Sequence, residues 1–106
     1  MKRIRGMLGF AMRAGKTVIG TELITKSLAR GGIKLVVITS DASPLTKKTL
    51  NSKSEYYGTP AIEIEMTSEE LGRLLGKAYA PVAVALTDSG FADEIKKACS
   101  SEKDES

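Results

Sequence analysis

The sequence predicts an α/β chain, a three-layer α/β/α sandwich around a central sheet of about four strands. Two observations carry that expectation. Helical and strand patterns alternate from the first residues to the last. Two strand segments, residues 34–39 and 82–86, are apolar almost throughout, as strands covered on both faces are. With 106 residues, 42% of them apolar, there is material for one core and one domain.

Each element has its own justification. Residues 2–14 read as a helix, because Ile4, Leu8 and Ala11, then Met7, Phe10 and Ala14, recur at helical spacing, and Gly15 supplies a C-cap. Thr17-Val18-Ile19 is β-branched and brief, a strand that Gly20 ends. Residues 21–30 form the next helix, with Leu23, Ile24, Ser27 and Leu28 on one face, Leu23 and Ile24 aimed at the core, and Gly31-Gly32 as the stop. Strand 34–39 leads into Ser40-Asp41-Ala42-Ser43-Pro44, where Ser43 is the N-cap and Pro44 the first position of a helix running to about Tyr56. Residues 61–66 alternate polar and apolar, as a half-exposed strand does. Thr67-Ser68-Glu69-Glu70 has capping-box spacing ahead of a helix with Leu71, Leu74 and Leu75. After strand 82–86, Asp88 caps a last helix through Phe91, Ile95 and Ala98. The domain is expected over residues 1–99, with 100–106 a polar tail that frays.

The composition excludes several chemistries. There is no histidine, which removes the commonest general base and imidazole metal ligand. The one cysteine, Cys99, allows neither an internal disulfide nor a cysteine zinc cluster. Gly15-Lys16-Thr17 invites a phosphate-loop reading, but Phe10 stands where that motif needs its first glycine, and the triplet follows a helix rather than a buried strand. Glu63 and Glu65 fall on the polar face of an alternating strand, and Glu69 and Glu70 in a first helical turn where acids suit the dipole. A non-enzymatic chain with no cofactor and no metal is expected. No apolar run reaches membrane-helix length, so the expected location is cytoplasmic.

Charge is the more informative property. Residues 1–53 carry 11 Lys/Arg against two acids, Glu22 and Asp41, a balance of +9. Residues 54–106 carry five basic residues against 11 acidic ones, a balance of −6. One face suited to a polyanion and another kept soluble by acids follow from this asymmetry. Without tryptophan, the chain fits a nucleic acid better than an anionic membrane surface. Within the basic half, Gly20-Thr21-Glu22-Leu23-Ile24-Thr25-Lys26 opens a helix, with Glu22 and Lys26 spaced as an exposed i,i+4 pair. Helix N–H groups suit a phosphate, whereas a lone carboxylate suits hydrogen bonds from a guanine edge.

Ala14-Gly15-Lys16, Gly20-Thr21, Thr25-Lys26, Ala29-Arg30-Gly31, Lys34-Leu35-Val36-Val37-Ile38, Asp41-Ala42-Ser43, and Leu71-Gly72 through Gly76 occur in an order and spacing that resemble the L-seven-Ae ribosomal-protein family. Within that family the chain is similar to the small bacterial YlxQ-type members, over roughly residues 2–98. The resemblance implies an α/β/α sandwich that binds RNA at kink-turns, where a bulge with adjoining sheared G·A pairs bends the duplex.

Residue by residue, the resemblance implies that Gly20, Thr21, Glu22, Thr25 and Lys26 read the G·A pairs and nearby phosphates, with Lys16 a basic position ahead of them. It implies that the loop with Asp41 and Ser43 lies beside the bulge, with Lys47 one turn on. Lys77-Ala78-Tyr79-Ala80-Pro81 matches the loop over the flipped-out nucleotide, where Tyr79 could stack on an unpaired base. Two positions depart from the pattern. Glu22-Leu23 stands where many members have Asn-Glu, and Tyr79-Ala80 precedes Pro81 where an arginine is common. The expected partner is structured RNA, a kink-turn with ribosomal RNA as a candidate, bound by a monomer in a ribosomal or translational setting. The competing expectation is a protein-interaction domain on the same fold that has lost kink-turn specificity.

Overall fold

The computed structural model describes residues 2–105. Five helices and four strands follow one another as α1 (Lys2–Arg13), β1 (Thr17–Ile19), α2 (Thr21–Arg30), β2 (Leu35–Thr39), α3 (Pro44–Tyr56), β3 (Ala61–Ile64), α4 (Ser68–Leu74), β4 (Ala83–Leu86) and α5 (Ser89–Glu105). The strands form one sheet in the order β1-β4-β2-β3. β4 is antiparallel to both its neighbours, pairing Val18 with Ala85 on one side and Val37 with Val84 on the other. β3 runs parallel to β2 at the far edge, with Val37 opposite Ile62.

Every residue of β2 and β4 is buried. Their alternation feeds two cores, because successive side chains point to opposite faces. Leu35 and Val37 of β2 join Val84 and Leu86 of β4 against α1, α4 and α5. Val36 and Ile38 join Ala83 and Ala85 against Ile24 and Leu28 of α2 and Leu50 of α3. The sandwich expected from the sequence is therefore present, with three helices on one face and two on the other.

Local chemistry ends the helices where expected. At the end of α1 the Lys16 N–H donates to the Ala11 carbonyl at 2.9 Å and the Gly15 N–H to Met12 at 3.1 Å, the bond pattern of a Schellman cap. Ser43 caps α3 by accepting from the Thr46 N–H at 3.1 Å, with Pro44 in the first turn. The capping box at Thr67 and Glu70 is complete, with both reciprocal bonds formed. Asp88 accepts from the Phe91 N–H at 3.0 Å.

Three expectations change. Leu23 is 57% exposed rather than in the core. It lies about 100° around the helix from Ile24, outside the stripe set by Ile24 and Leu28. Phe10 is also exposed, and Arg13 stacks on its ring instead. The last helix runs on to Glu105, into the stretch from Ser100 expected as a fraying polar tail, which holds no Gly or Pro.

Gly72 controls one connection. A Cβ there would collide with the Tyr79 carbonyl and sit 3.2 Å from Pro81, so the strand-entry loop can lie against α4 only across a glycine. Gly72→Ala should therefore destabilise the fold by about 1–3 kcal/mol. Gly6→Ala, in α1 with nothing near the added Cβ, should stabilise it by about 0.5–1 kcal/mol. Urea unfolding of the two variants checks the opposite signs.

Candidate nucleic-acid interface

The topology brings four connections to one end of the sheet. β1, β2 and β3 all end there, and β4 begins there. The bonds that fix this edge centre on the start of β4. The Gly20 N–H donates to the Ala83 carbonyl at 3.2 Å, and the Thr39 N–H to Val82 at 2.9 Å. The Thr39 hydroxyl adds a second bond to the Val82 carbonyl at 3.2 Å. Gly20 and the β2–α3 loop thus flank the entry of the loop that carries Tyr79.

Gly20 turns the chain from β1 into α2 at φ +101°, ψ 143°, a conformation open to glycine and hardly to any other residue. It also leaves the helix without a side-chain cap. The first N–H groups of α2 consequently face outward as donors, whereas Ser43, Thr67 and Asp88 cap α3, α4 and α5. Glu22 stands in that first turn, exposed. The Glu22–Lys26 ion pair suggested by spacing does not form among the described residues, so the carboxylate and the ammonium are each available. Thr25 donates its hydroxyl back to the Glu22 carbonyl at 2.9 Å, which spends its proton within the helix.

The β2–α3 loop is held rather than loose. Asp41 Oδ1 accepts from the Ser68 N–H and Oδ2 from the Ser68 hydroxyl, both at 2.9 Å. Ser40 donates its N–H to the Met66 carbonyl at 3.1 Å. Asp41 therefore staples this loop to the start of α4. The Ser68 N–H, with help from the Ser68 hydroxyl, holds its carboxyl below the usual range. Ser43 is spent likewise, on the N-cap and on a bond to the Thr46 hydroxyl at 2.9 Å.

The cations divide in two. Lys47 folds back onto the Ser40 carbonyl at 2.8 Å and onto Glu63 at 3.3 Å, so its charge is largely satisfied within the protein. Lys26, Lys77 and Lys16 form no ion pair among the described residues. Lys26 is exposed in the second turn of α2. Lys77 sits where its N–H closes onto the Gly72 carbonyl at 2.8 Å, at the α4 end of the loop. Lys16 is the expected site residue that the fold separates from the others. Its carbonyl accepts from the Thr87 N–H at 2.9 Å, at the opposite end of β1 from Gly20, about 13 Å away along the strand.

Tyr79 is 57% exposed on the loop that rides over Gly72. Sequence reasoning passed over Arg30, one helical turn beyond Lys26 and exposed like it. The signal was the i,i+4 spacing of the two. It also passed over Leu23, whose exposure follows from counting positions around the α2 stripe.

Asp41 yields a pH prediction. A carboxyl whose pKa is lower in the folded than in the unfolded chain adds stability above its ordinary value of about 3.9, and loses it as pH falls through the folded value. Asp41→Ala should cost about 1 kcal/mol at neutral pH, for bonds at an exposed site. The gap between wild type and variant should narrow as pH falls below the ordinary carboxylate range, which urea unfolding at stepped pH would measure.

The profile of the ribosomal protein L7Ae/L30e/S12e/Gadd45 family matches residues 2–96. The chain is 43% identical over 89 residues to the RNA-binding protein YlxQ of Bacillus subtilis (strain 168), covering 84% of this chain and 87% of that one. It is 34% identical over 99 residues to the large ribosomal subunit protein eL30 of Spodoptera frugiperda, covering 90% of this chain and 84% of that one. A solved structure from Bacillus halodurans C superposes with a TM-score of 0.83 at 32% identity, covering 90% of this chain and 94% of that one. The chain belongs to the ribosomal protein L7Ae/L30e/S12e/Gadd45 family.

Proposed function

We propose that the chain is a non-enzymatic RNA-binding protein that recognises kink-turns with sheared G·A pairs, as a monomer, in a cytoplasmic ribosomal or translational setting. The observation that carries this reading is the uncapped start of α2 at Gly20, beside the entry of the Tyr79 loop and across it from the Asp41 loop, at one end of the sheet. Names of relatives, an RNA-binding protein and a large-subunit protein, point the same way.

In this reading the N–H groups of Thr21 and Glu22 meet phosphate, and Lys26 and Lys77 neutralise neighbouring phosphates with release of counterions. The Glu22 carboxylate accepts from guanine in a sheared pair, which opens a groove that regular A-form RNA keeps too narrow for side chains. Tyr79 stacks on the extruded base. Asp41 and Ser43 act by holding the loop in place, because their oxygens are already spent. Binding draws the bent RNA out of a flexible ensemble.

One observation favours a protein partner instead. Leu23, Leu45 and Tyr79 are exposed at 57%, 74% and 57%, apolar area at the starts of α2 and α3 and on the neighbouring loop. The two readings separate in a titration of the protein against a kink-turn RNA and against the same RNA with its G·A pairs replaced by G·C. Kink-turn binding predicts clear preference for the first. Equal affinity would favour the protein partner.

RNA binding carries three further expected outcomes. Log affinity should fall against log salt with a slope of roughly −1.5 to −2, for the two phosphates neutralised by Lys26 and Lys77. Lys26→Ala should weaken specific and non-specific binding alike, whereas Lys96→Ala, on the acidic side, should leave both unchanged. Glu22→Ala should reduce kink-turn affinity by about 1–3 kcal/mol, the range for a lost base contact. It should leave plain duplex binding unchanged or slightly stronger, since a repulsive charge has gone. Discrimination that survives Glu22→Ala would remove the role given to that carboxylate.

A further inference from the structure

The end of the sheet opposite Gly20 carries a second gathering of cations and exposed aromatic rings. Along that edge the Lys34 N–H donates to the Leu86 carbonyl at 2.7 Å and the Val36 N–H to Pro60 at 2.9 Å, with Lys16 joined to Thr87 beyond β4. Between the ends of α2 and α3 the surface opens into a shallow cleft of about 470 Å³, lined by Arg30, Lys34, Tyr57 and the bare Gly31-Gly32 turn. Tyr57 meets Tyr56 edge to face, with ring centroids 4.9 Å apart. The two rings are 42% and 81% exposed, so neither is there to serve the core. Lys53 lies one turn before Tyr57 and its carbonyl accepts the Tyr57 N–H at 3.1 Å. The acids near this end are Glu55, exposed on α3, and Asp88, whose Oδ2 is committed to capping α5. Among the described residues, Lys16, Arg30, Lys34 and Lys53 form no ion pair.

We propose that this cleft and its rim are a second RNA contact that takes a single-stranded segment, with bases stacking on Tyr57 in the cleft and Tyr56 beside it, and the backbone held by Arg30 and Lys34 in the cleft and Lys53 at its rim. Cations with no acid lining the cleft call for a polyanion. Exposed aromatic faces beside them call for bases that are free of pairing, which duplex RNA does not offer and single strands do. The surface also connects to the first site. Lys26 and Arg30 stand one turn apart on the exposed face of α2, and Lys34 follows just beyond its end, a basic track along a helix about 15 Å long. An RNA seated at Gly20 can therefore continue along α2 and place its unpaired extension in the cleft. The inference takes from the proposed function only the class of partner, not the kink-turn.

The test uses a minimal kink-turn hairpin, the same hairpin with a single-stranded extension of about ten uridines at either end, and the free oligouridine. Tyr56→Ala and Lys34→Glu, both at exposed positions, are compared with wild type after urea unfolding shows them folded. Wild type should bind one of the extended hairpins roughly tenfold more tightly than the minimal one, the scale of one lost base–aromatic stack. Either variant should erase most of that gain and leave the minimal hairpin unchanged. Uridines in the extension should photocrosslink to the segment 53–60. A wild type that gains nothing from either extension, as a cleft reserved for a protein would, overturns the proposal. So does a gain that persists in both variants. Should the minimal hairpin not bind while free oligouridine binds wild type and not the variants, the cleft stands and the kink-turn reading falls.

Discussion

The placement of β4 between β1 and β2, antiparallel to each, is the constraint on which the remaining geometry depends. β4 is the last strand in sequence and the second in the sheet, so the sheet cannot close until most of the chain has been made. Its antiparallel direction puts its first residues beside the last residues of β1 and β2. The Val82 and Ala83 carbonyls then lie where Thr39 and Gly20 can donate to them. Because α2, α3 and α4 follow β1, β2 and β3 directly, their starts come to the same edge. This is how three helix N-termini and one returning loop meet without any of them being long.

The edge is made rigid by small bonds rather than by bulk. Asp41 ties the β2–α3 loop to Ser68, and Glu70 closes the capping box while accepting from Arg5 of α1 at 2.6 Å. The Arg5 guanidinium and Thr67 hold the Glu70 carboxyl below its usual range. Gly72 then lets the Tyr79 loop lie on α4. Each of these residues acts on the candidate interface by placing something else. Residues that position a loop and residues that meet a ligand share one short stretch of sequence here, and spacing alone does not sort them.

Much of the fold was legible because local chemistry decides it. Ser43 with Pro44, Thr67 with Glu70, and Asp88 announce helix starts in the sequence, and each forms the expected bond. The two apolar runs announce strands covered on both faces. Strand order was not legible, since which strand pairs with which depends on contacts between remote residues. The candidate site divides along the same line. Gly20, Glu22 and Lys26 are neighbours in one helix start and were readable together. Lys47 on α3 looks like a free cation until Glu63 arrives from β3. Lys16 looks adjacent to Gly20, but an extended strand carries them to opposite ends of the sheet.

Folding converts the charge asymmetry of the sequence into an asymmetry of layers. α2 and α3 carry Lys26, Arg30, Lys47, Lys48 and Lys53 against Glu22 and Glu55, so the layer over one sheet face is basic. The acids of the second half lie mostly on α4 and α5, on the other face, many in pairs such as Glu69 with Arg73 and Asp93 with Lys96. The exception is α1, basic throughout, which packs beside those acidic helices and sends Arg5 to Glu70. The basic helix is thus partly neutralised where it sits, and the larger net positive charge is left on the α2–α3 side. In the field of a polyanion such a molecule turns that side forward before any specific contact forms. Both ends of α2, the Gly20 edge and the Tyr57 cleft, lie on the side so presented.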